Sequence, residues 1–426
     1  MKPLAGVKVL ELARVLAGPW IGQLLADLGA DVVKVERAGV GDDTRGWGPP
    51  FVEGADGENL SAAYYHAANR GKRSIEADFE TEEGRALVRR LSLHADVLVE
   101  NFKVGGLAKF GLDATSLRAL NPRLVYCSVT GFGQTGPYAP LAGYDFMIQG
   151  MAGVMDLTGE PDGSPFKAGY ATADLFCGVY AAVGILAALR RRDETGEGAT
   201  LDMALMDSQV AVLGYQAVNY FVSGAVPKRL GNGHPNIVPY DVFPTSDGSV
   251  ILAVGTDGQF GKLCEAIGAG HLATHPDYRT NEGRVRNRAA LVPELGRHTA
   301  RLPRNELLAT LAALKVPSGP VNTVADVFAD PQVLARGIRV DLPAPGAKGG
   351  AIPTLRSPIV LDGEPMVAER PSPRLGEHTD EVLGDPAWGE PSSRTARGAD
   401  PGPRAEKSAS PENGPGAPLR FGRDDA

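Results

Sequence analysis

Apolar positions at the start of the chain alternate between short continuous runs and a helical repeat. Residues 6–12 (GVKVLEL) and 31–37 (DVVKVER) are short apolar runs, a pattern typical of strands buried within a sheet. Between them, a segment that opens with Gly18-Pro19 carries apolar residues at helical spacing, and Gly29 can cap its end. A strand, a helix and a strand in this order predict a βαβ unit, and therefore a parallel sheet.

The same alternation continues along the next part of the chain. An amphipathic helix is predicted over residues 82–95, and strands are predicted over residues 96–102 and 124–129. The last of these strands runs into a glycine-rich loop at residues 130–137 (TGFGQTGP). Because open α/β sheets bind their ligands at the carboxyl ends of the strands, we expect a binding site at this edge.

The most regular apolar repeat surrounds one aspartate. Steps of three and four predict a helix whose apolar face consists of Leu175, Val179, Val183, Leu186 and Leu189. Asp174 immediately precedes this repeat, at the position expected for an N-cap. A carboxylate is held ionised there, and nearby N–H groups can stabilise an oxyanion. Asp174 is therefore either a structural cap or a nucleophile.

Composition and charge restrict the class of protein. The chain has 426 residues and a net charge of −8, which argues against general affinity for nucleic acids or membrane surfaces. The three cysteines form no C-x-x-C pair, which suits a reducing compartment. The first residues do not have the pattern of a signal peptide, and the longest apolar run, residues 175–189, is too short to span a bilayer. We therefore expect a cytoplasmic protein.

Basic residues are concentrated at residues 69–74 (NRGKRS), which form either a solvated turn or an anion site.

The loop after the first strand lacks G-x-G-x-x-G, which argues against a nicotinamide dehydrogenase, and a Walker A loop is also missing. The seven histidines form no H-E-x-x-H motif and no ligand pair at useful spacing. We therefore expect no metal and no permanently bound cofactor.

The segment around Asp174 resembles a known family. Residues 169–175 fit the pattern G-x-x-x-x-D-L, and the helix of small residues that follows ends in L-A-A-L, as in the class III CoA-transferases. The resemblance extends over residues 3–384. It implies that Asp174 attacks an acyl-CoA thioester and forms a mixed anhydride, which the released CoA thiolate converts into an aspartyl-CoA thioester. Coenzyme A is then a substrate and not a resident cofactor.

The resemblance also implies an architecture. We expect an α/β fold with a Rossmann-like parallel-sheet large domain built from both chain ends and an inserted small α+β domain. Residues 1–222 are assigned to the first part of the large domain, 223–335 to the small domain with its linkers, and 336–388 to the return to the large domain. The family further implies an interlocked homodimer. Residues 389–426 are rich in Pro, Gly, Ser and charged residues, and should be a disordered tail.

Family positions that contact CoA have counterparts in this chain. They are Val15, Leu16, Ala17, Arg37, Lys72, Arg73, Asn101, Phe102, Lys109, Tyr144 and Asp145. The family pattern N-F-x-P-G is not kept, because the residues after Phe102 are Lys-Val-Gly. A lid that keeps water from the anhydride is assigned to the glycine-containing loop with Gly255, Asp257, Gly258 and Gln259. An ordinary strand-to-helix turn is the alternative for that loop.

Segments such as ARVLAGPW and IVPYDVFPTSDG are closer still to the family branch that uses succinyl-CoA and glutarate. This similarity implies a succinyl-CoA donor and a short dicarboxylic acid acceptor. A buried distal carboxylate needs a cationic partner, for which the candidates are Arg14, Arg45 and Arg70.

Two alternatives to a transferase remain open, a racemase of the same fold and a CoA-binding protein without activity. The α-methylacyl-CoA racemases have a G-H-D motif where this chain has Gly143-Tyr144-Asp145, and a tyrosine is a poor base at neutral pH.

Overall fold

The computed structural model describes residues 1–389, so the tail predicted over 389–426 lies outside the described residues except for Gly389. The strands are β1 (Lys8–Glu11), β2 (Asp31–Arg37), β3 (Phe51–Glu53), β4 (Asn59–Ala62), β5 (Lys72–Ala77), β6 (Val97–Glu100), β7 (Val125–Thr130), β8 (Ala199–Ala204), β9 (Tyr240–Thr245), β10 (Gly248–Ala253), β11 (Ser318–Gly319), β12 (Arg339–Pro343), β13 (Ala351–Leu355), β14 (Val360–Leu361) and β15 (Glu364–Pro365).

The helices alternate with these strands in the N-terminal half and dominate the C-terminal half. They are α1 (Ala17–Asp27), α2 (Ala63–Ala67), α3 (Glu82–His94), α4 (Ala114–Leu120), α5 (Asp145–Met151), α6 (Val154–Leu157), α7 (Thr172–Thr195), α8 (Leu205–Ala211), α9 (Tyr215–Ser223), α10 (Asp257–Ala266), α11 (Gly270–Thr274), α12 (Asn281–Arg286), α13 (Arg288–Thr299), α14 (Arg304–Ala313), α15 (Val324–Ala329), α16 (Pro331–Ala335) and α17 (Thr379–Leu383). Short 3₁₀ helices occur at Asp43–Gly46, Ala108–Phe110, Pro276–Tyr278 and Pro386–Trp388.

A six-stranded sheet is the centre of the N-terminal half. Its strand order is β5-β2-β1-β6-β7-β8, and every neighbouring pair is parallel. The predicted βαβ unit and the α/β class are therefore confirmed. From β1 the chain moves to β2 and β5 on one side, and then to β6, β7 and β8 on the other. The order reverses between β1 and β6, which makes their carboxyl ends the switch point where such sheets bind ligands.

Both faces of the sheet are covered by apolar cores. One core packs α1 and α7 onto the sheet through residues such as Val9, Ile21 and Ile185. The other packs α3 and the C-terminal Trp388 onto the opposite face. The Trp388 indole N–H donates to the Oδ2 atom of Asp31 at 2.7 Å, so the end of the described chain returns to the sheet. Covered faces explain why the strands read as continuous apolar runs.

Helix α7 differs in two ways from the sequence prediction. It begins at Thr172, so Asp174 is its third residue and not its N-cap. The predicted apolar stripe is also wrong, because Val179 is 46% exposed and Val183 is 59% exposed. The buried face instead carries small residues that allow a close approach to α1, where a Cβ on Gly178 would lie 2.9 Å from the ring of Trp20.

Helix α7 is longer than the apolar run at residues 175–189. Its 24 residues, Thr172–Thr195, are by length and composition enough to cross a membrane, whereas the run alone was expected to be too short. Half of the most apolar window is buried inside the protein, as expected for a core helix.

The C-terminal half contains a second sheet with its own core. Strands β9, β10 and β11 form an antiparallel sheet in the order β11-β10-β9. Phe243, Phe260, Leu291 and Leu311 belong to one apolar cluster that joins this sheet to α10, α13 and α14. The division into domains at residues 222, 335 and 388 stays a prediction.

Candidate active site

The loops that follow β1 and β6 meet at the switch point of the parallel sheet. The backbone N–H of Arg14 donates to the Asn101 side chain at 3.0 Å, and the Asn101 amide donates back to the Arg14 carbonyl at 2.6 Å. The Arg14 guanidinium also lies 6.0 Å from the centre of the Phe102 ring. The structure thus brings together Arg14, a candidate for binding the acid, and Asn101 and Phe102, two positions predicted to contact CoA.

Val15 in the first loop adopts a strained conformation. Its φ of +71° is in the left-handed region, which β-branched residues rarely adopt. Two charged side chains form hydrogen bonds with the backbone of this loop. The Val15 N–H lies 3.2 Å from each carboxylate oxygen of Asp42, and the Lys34 ammonium donates to the Ala13 carbonyl at 2.7 Å. These bonds fix the loop before any ligand binds.

The charges beneath this loop belong to a buried ionic network. Lys34 pairs with both Glu11 and Asp42 at 3.0 Å. Burial alone would raise the pKa of Asp42, but Lys34 and hydrogen bonds from Thr44 lower it to about 2. This network could not be predicted from the sequence, because an acid or a lysine inside an apolar run does not indicate its partner.

Lys72 is part of the same network, whereas its position in the family pattern predicted a contact with CoA. Its side chain is fully buried, and its ammonium donates to Glu11 and to the Asn69 side chain at 2.8 and 2.9 Å. Burial lowers the pKa of Lys72 to about 7. Since its donors are used within the protein, Lys72 offers none to a phosphate.

Three predicted anion-binding arginines are also used inside the fold. Arg73 pairs with Asp31 and, at 3.0 Å, with Asp385. Arg45 binds Glu36 through two nitrogen atoms and lies 3.8 Å above the Tyr65 ring. Arg70 is buried, and its Nε donates to Asp27 at 3.0 Å. Each guanidinium neutralises a buried or partly buried carboxylate, and the predicted ligand contacts of Arg73, Arg45 and Arg70 stay predictions.

Other predicted residues remain accessible. Arg14 is 57% exposed at its side chain and pairs with Asp43 at 3.0 Å, and Arg37 is exposed at the carboxyl end of β2. Lys109 is 65% exposed and lies 4.3 Å from the centre of the Phe110 ring. Phe110 packs through Phe79 onto Phe102, so Lys109 is connected to the switch point by aromatic contacts. Leu16, the N-cap of α1, and Ala17, its first residue, are by contrast buried, and the N-terminus of α1 has no side-chain cap.

Asp174 lies in the first turn of α7 and is only 9% exposed. Burial, together with the neighbouring charge of Asp145, raises the pKa of Asp174 to about 7. With this pKa, Asp174 is only partly ionised at neutral pH, whereas the sequence predicted a fully ionised N-cap. A carboxylate of this basicity is a better nucleophile than an ordinary aspartate and is still partly ionised at neutral pH.

Asp145 fixes the start of α7. Its Oδ1 accepts the N–H of Ala173 at 2.8 Å, and its Oδ2 accepts the side-chain amide of Gln149 at 2.7 Å. The loop before Asp145 approaches the end of β7 closely, since a Cβ on Gly131 would lie 2.6 Å from the Cα of Gly143. Only glycine fits this contact. Asp145, predicted to contact CoA, is therefore seen here as a neighbour of Asp174.

Two tyrosines border this region. Tyr144 is 67% exposed, which is compatible with its predicted ligand contact. Tyr64 was not predicted. Burial and the charges of Asp174 and Asp145 raise the pKa of Tyr64 to about 12, and its ring packs edge-on against Trp47 at 5.3 Å. The Tyr64 phenol is therefore protonated at neutral pH and is not a suitable base for a racemase.

The predicted lid loop forms the start of α10. Thr256 and Gln259 make a capping box, and the Gln259 side chain also accepts the Gly255 N–H at 3.0 Å. Asp257 pairs with the buried Arg284 at 2.8 Å. These contacts show that the residues form the start of a helix, as in the alternative of a strand-to-helix turn. A lid role for the loop stays a prediction.

The comparison with known proteins identifies the family. Residues 4–379 match the family model described as CoA-transferase family III. The chain belongs to this family. It is accordingly a CoA-transferase, and the family implied by the segment around Asp174 is confirmed.

Individual relatives agree with this assignment. The chain is 58% identical over 383 residues to a succinate–glutarate CoA-transferase of Agrobacterium fabrum, covering 90% of this chain and 95% of the relative. It is 39% identical to the human succinyl-CoA:glutarate CoA-transferase, covering 90% and 86%. A crystal structure of a CAIB/BAIF family protein from Brucella suis is similar with a TM-score of 0.79 and 57% identity, covering 89% of this chain and 98% of that one.

Proposed function

We propose that this transferase moves CoA from succinyl-CoA to a short dicarboxylic acid such as glutarate, with Asp174 as the nucleophile. The observation that carries the proposal is the environment of Asp174: a nearly buried carboxylate with a pKa of about 7, in the first turn of a helix. The similarity to transferases named for succinate and glutarate supports the choice of acids.

The proposed reaction keeps the energy of the thioester. The Asp174 carboxylate attacks the thioester carbonyl, the C–S bond breaks, and a mixed anhydride and a CoA thiolate form. The thiolate attacks the aspartyl carbonyl of the anhydride, which gives an aspartyl-CoA thioester and releases succinate. The acceptor carboxylate then attacks this thioester, and the two steps run in reverse. Exclusion of water matters, because hydrolysis of the anhydride would dissipate the energy.

The described contacts suggest how the substrates bind. The N-terminus of α1 follows the loop at the switch point and has no side-chain cap, so the backbone N–H groups of Ala17 and Gly18 are candidates for binding a phosphate or an oxyanion. Arg37 and Lys109 are the accessible cations for the nucleotide. Of the three candidate acid-binding arginines, Arg14 is the one that remains accessible, and we assign the distal carboxylate to it.

Asp174→Ala tests the nucleophile. The variant should fold and bind CoA but lose transfer, and mass spectrometry of the wild type with succinyl-CoA should find a covalent adduct on Asp174. Transfer by Asp174→Ala would refute the assignment.

Rates of transfer from succinyl-CoA to glutarate, itaconate, oxalate, acetate, formate and carnitine test the choice of acceptor acid. The Arg14→Ala variant should lose the preference for dicarboxylates. A preference for acetate or carnitine would reject the dicarboxylate while retaining the transferase.

A homodimer and a cytoplasmic location are also part of the proposal. Large apolar side chains are exposed on α7 and α9, including Val183 at 59%, Phe221 at 75% and Val222 at 83%. Exposed apolar surface of this kind favours a protein partner, and a second copy of the chain is the partner we propose. Light scattering should give twice the mass of one chain, whereas a monomer at micromolar concentration would contradict the dimer.

A further inference from the structure

Three side chains suited to binding a metal ion meet at the surface of the C-terminal half. His271 belongs to α11, and Glu294 and His298 belong to α13. One potential ligand atom from each residue lies within 4.8 Å of the other two. Glu294 and His298 are four residues apart, so they lie on the same face of their helix. None of the three belongs to the candidate active site.

The orientation of His298 is set by a backbone contact. Its Nδ1 lies 3.2 Å from the carbonyl oxygen of Ile267, the residue that follows α10. Because a carbonyl oxygen only accepts, Nδ1 carries a proton, and Nε2 of the neutral ring keeps a free lone pair. Histidine ligands of metals usually have such a hydrogen bond on the second ring nitrogen. Nε2 faces Oε1 of Glu294 at 3.5 Å.

The carboxylate is oriented in a similar way. Arg297 binds Oε2 of Glu294 and leaves Oε1 directed toward the histidines. Ligand atoms at tetrahedral zinc, with bonds of 2.0–2.2 Å, are about 3.4 Å apart, close to the observed separation of Oε1 and Nε2. Two imidazoles and one carboxylate favour a first-row transition metal over Mg²⁺ or Ca²⁺, which prefer oxygen ligands.

We propose that His271, Glu294 and His298 form a binding site for a divalent first-row transition metal ion, with Zn²⁺ as the best candidate. The fourth ligand position stays open to water. The ion would fasten α11 to α13 and, through the Ile267 carbonyl, to the end of α10. No ligand pair among the histidines was expected from the sequence, but Glu294 and His298 are a pair at helical spacing, and the fold brings His271 to them.

Isothermal titration of the metal-free full chain with ZnCl₂ tests the site. The wild type should bind one ion per chain, and His271→Ala, Glu294→Gln and His298→Ala should each weaken binding by at least about tenfold. His275→Asn is the matched control, because His275 is also exposed in this half, and asparagine can keep its bond to the Asp277 N–H. All variants should retain CoA transfer in metal-free buffer.

Co²⁺ gives a second readout. Tetrahedral Co²⁺ in the wild type should absorb visible light, and the three variants should lose this absorption. Absence of Zn²⁺ binding by the wild type would overturn the proposal. Binding of equal affinity in the wild type and the three variants would also overturn it, because the ion would then bind elsewhere.

Discussion

The Oδ1 atom of Asp145 accepts the backbone N–H of Ala173 at 2.8 Å, so the carboxylate at the start of α5 is fixed against the first turn of α7. This places a negative charge beside the residue that follows, Asp174. Asp145 therefore has two effects on the proposed nucleophile. It anchors the turn that carries Asp174, and its charge adds to burial in raising the pKa of Asp174.

Asp145→Asn separates these two effects. Asparagine keeps an acceptor for the Ala173 N–H but removes the charge, so the pKa of Asp174 should fall and the rising limb of kcat/KM should shift to lower pH. Gln149→Ala is the matched control, because it removes a hydrogen bond to Asp145 but leaves the charge. An unchanged limb in Asp145→Asn would show that Asp145 does not influence the titration.

Asp174→Asn should stabilise the protein at high pH. The native pKa of Asp174, about 7, is above its ordinary value of 3.8, so the wild type loses stability as the pH rises from about 4 to 7. The loss is on the order of 4 kcal/mol at most. Thermal unfolding should show a higher Tm for the variant than for the wild type at pH 8, and a much smaller difference at pH 4. Asp162→Asn, at an exposed position, should show no such difference.

Asp42→Asn should loosen the first loop. It removes a charged partner of Lys34 and weakens the hold on the strained Val15. If the loop then costs about 1 kcal/mol more to order on binding, KM for acyl-CoA should rise about fivefold, with little change for the acceptor acid. Steady-state kinetics measure this, with the exposed Asp56→Asn as the control. An unchanged KM would mean that the loop does not need its buried support.

The basic residues should divide into two groups. Arg37→Ala and Lys109→Ala should raise KM for acyl-CoA about two- to fivefold and reduce its dependence on salt, because both side chains are exposed. Lys72→Met should instead lower stability by about 3 kcal/mol, since it leaves Glu11 buried with one partner fewer. Kinetics at two salt concentrations and urea unfolding distinguish the groups, with Arg286→Ala as a control remote from the sheet. A purely kinetic effect of Lys72→Met would return it to the CoA site.

The parallel sheet and the family were predictable from the sequence for physical reasons. Buried strands need continuous apolar runs, so residues 31–37 could be identified as β2 with the bounds that the structure has. The segment around Asp174 carried enough of a family pattern to indicate a CoA-transferase. The position of Asp174 relative to the start of α7 was less certain, because a shift of one turn in the start of a helix changes an N-cap into a first-turn residue.

What only the tertiary structure decided is which charges remain available. The sequence does not distinguish Arg14 from Arg70 as a candidate for acid binding. In the structure, Arg70 is buried in a pair with Asp27, whereas the Arg14 side chain is exposed. Opposite charges that pair inside a protein come from distant positions in the chain, and the spacing of apolar residues does not indicate which of them pair. The same holds for His271 and His298, which are brought together by the packing of two helices. The sequence by itself determined the first βαβ unit of the sheet, the family and the nucleophile proposed for it. The tertiary structure placed part of the basic segment at residues 69–74, expected to be a turn or an anion site, in the buried strand β5, and packing decided the chemical surroundings of each charged group.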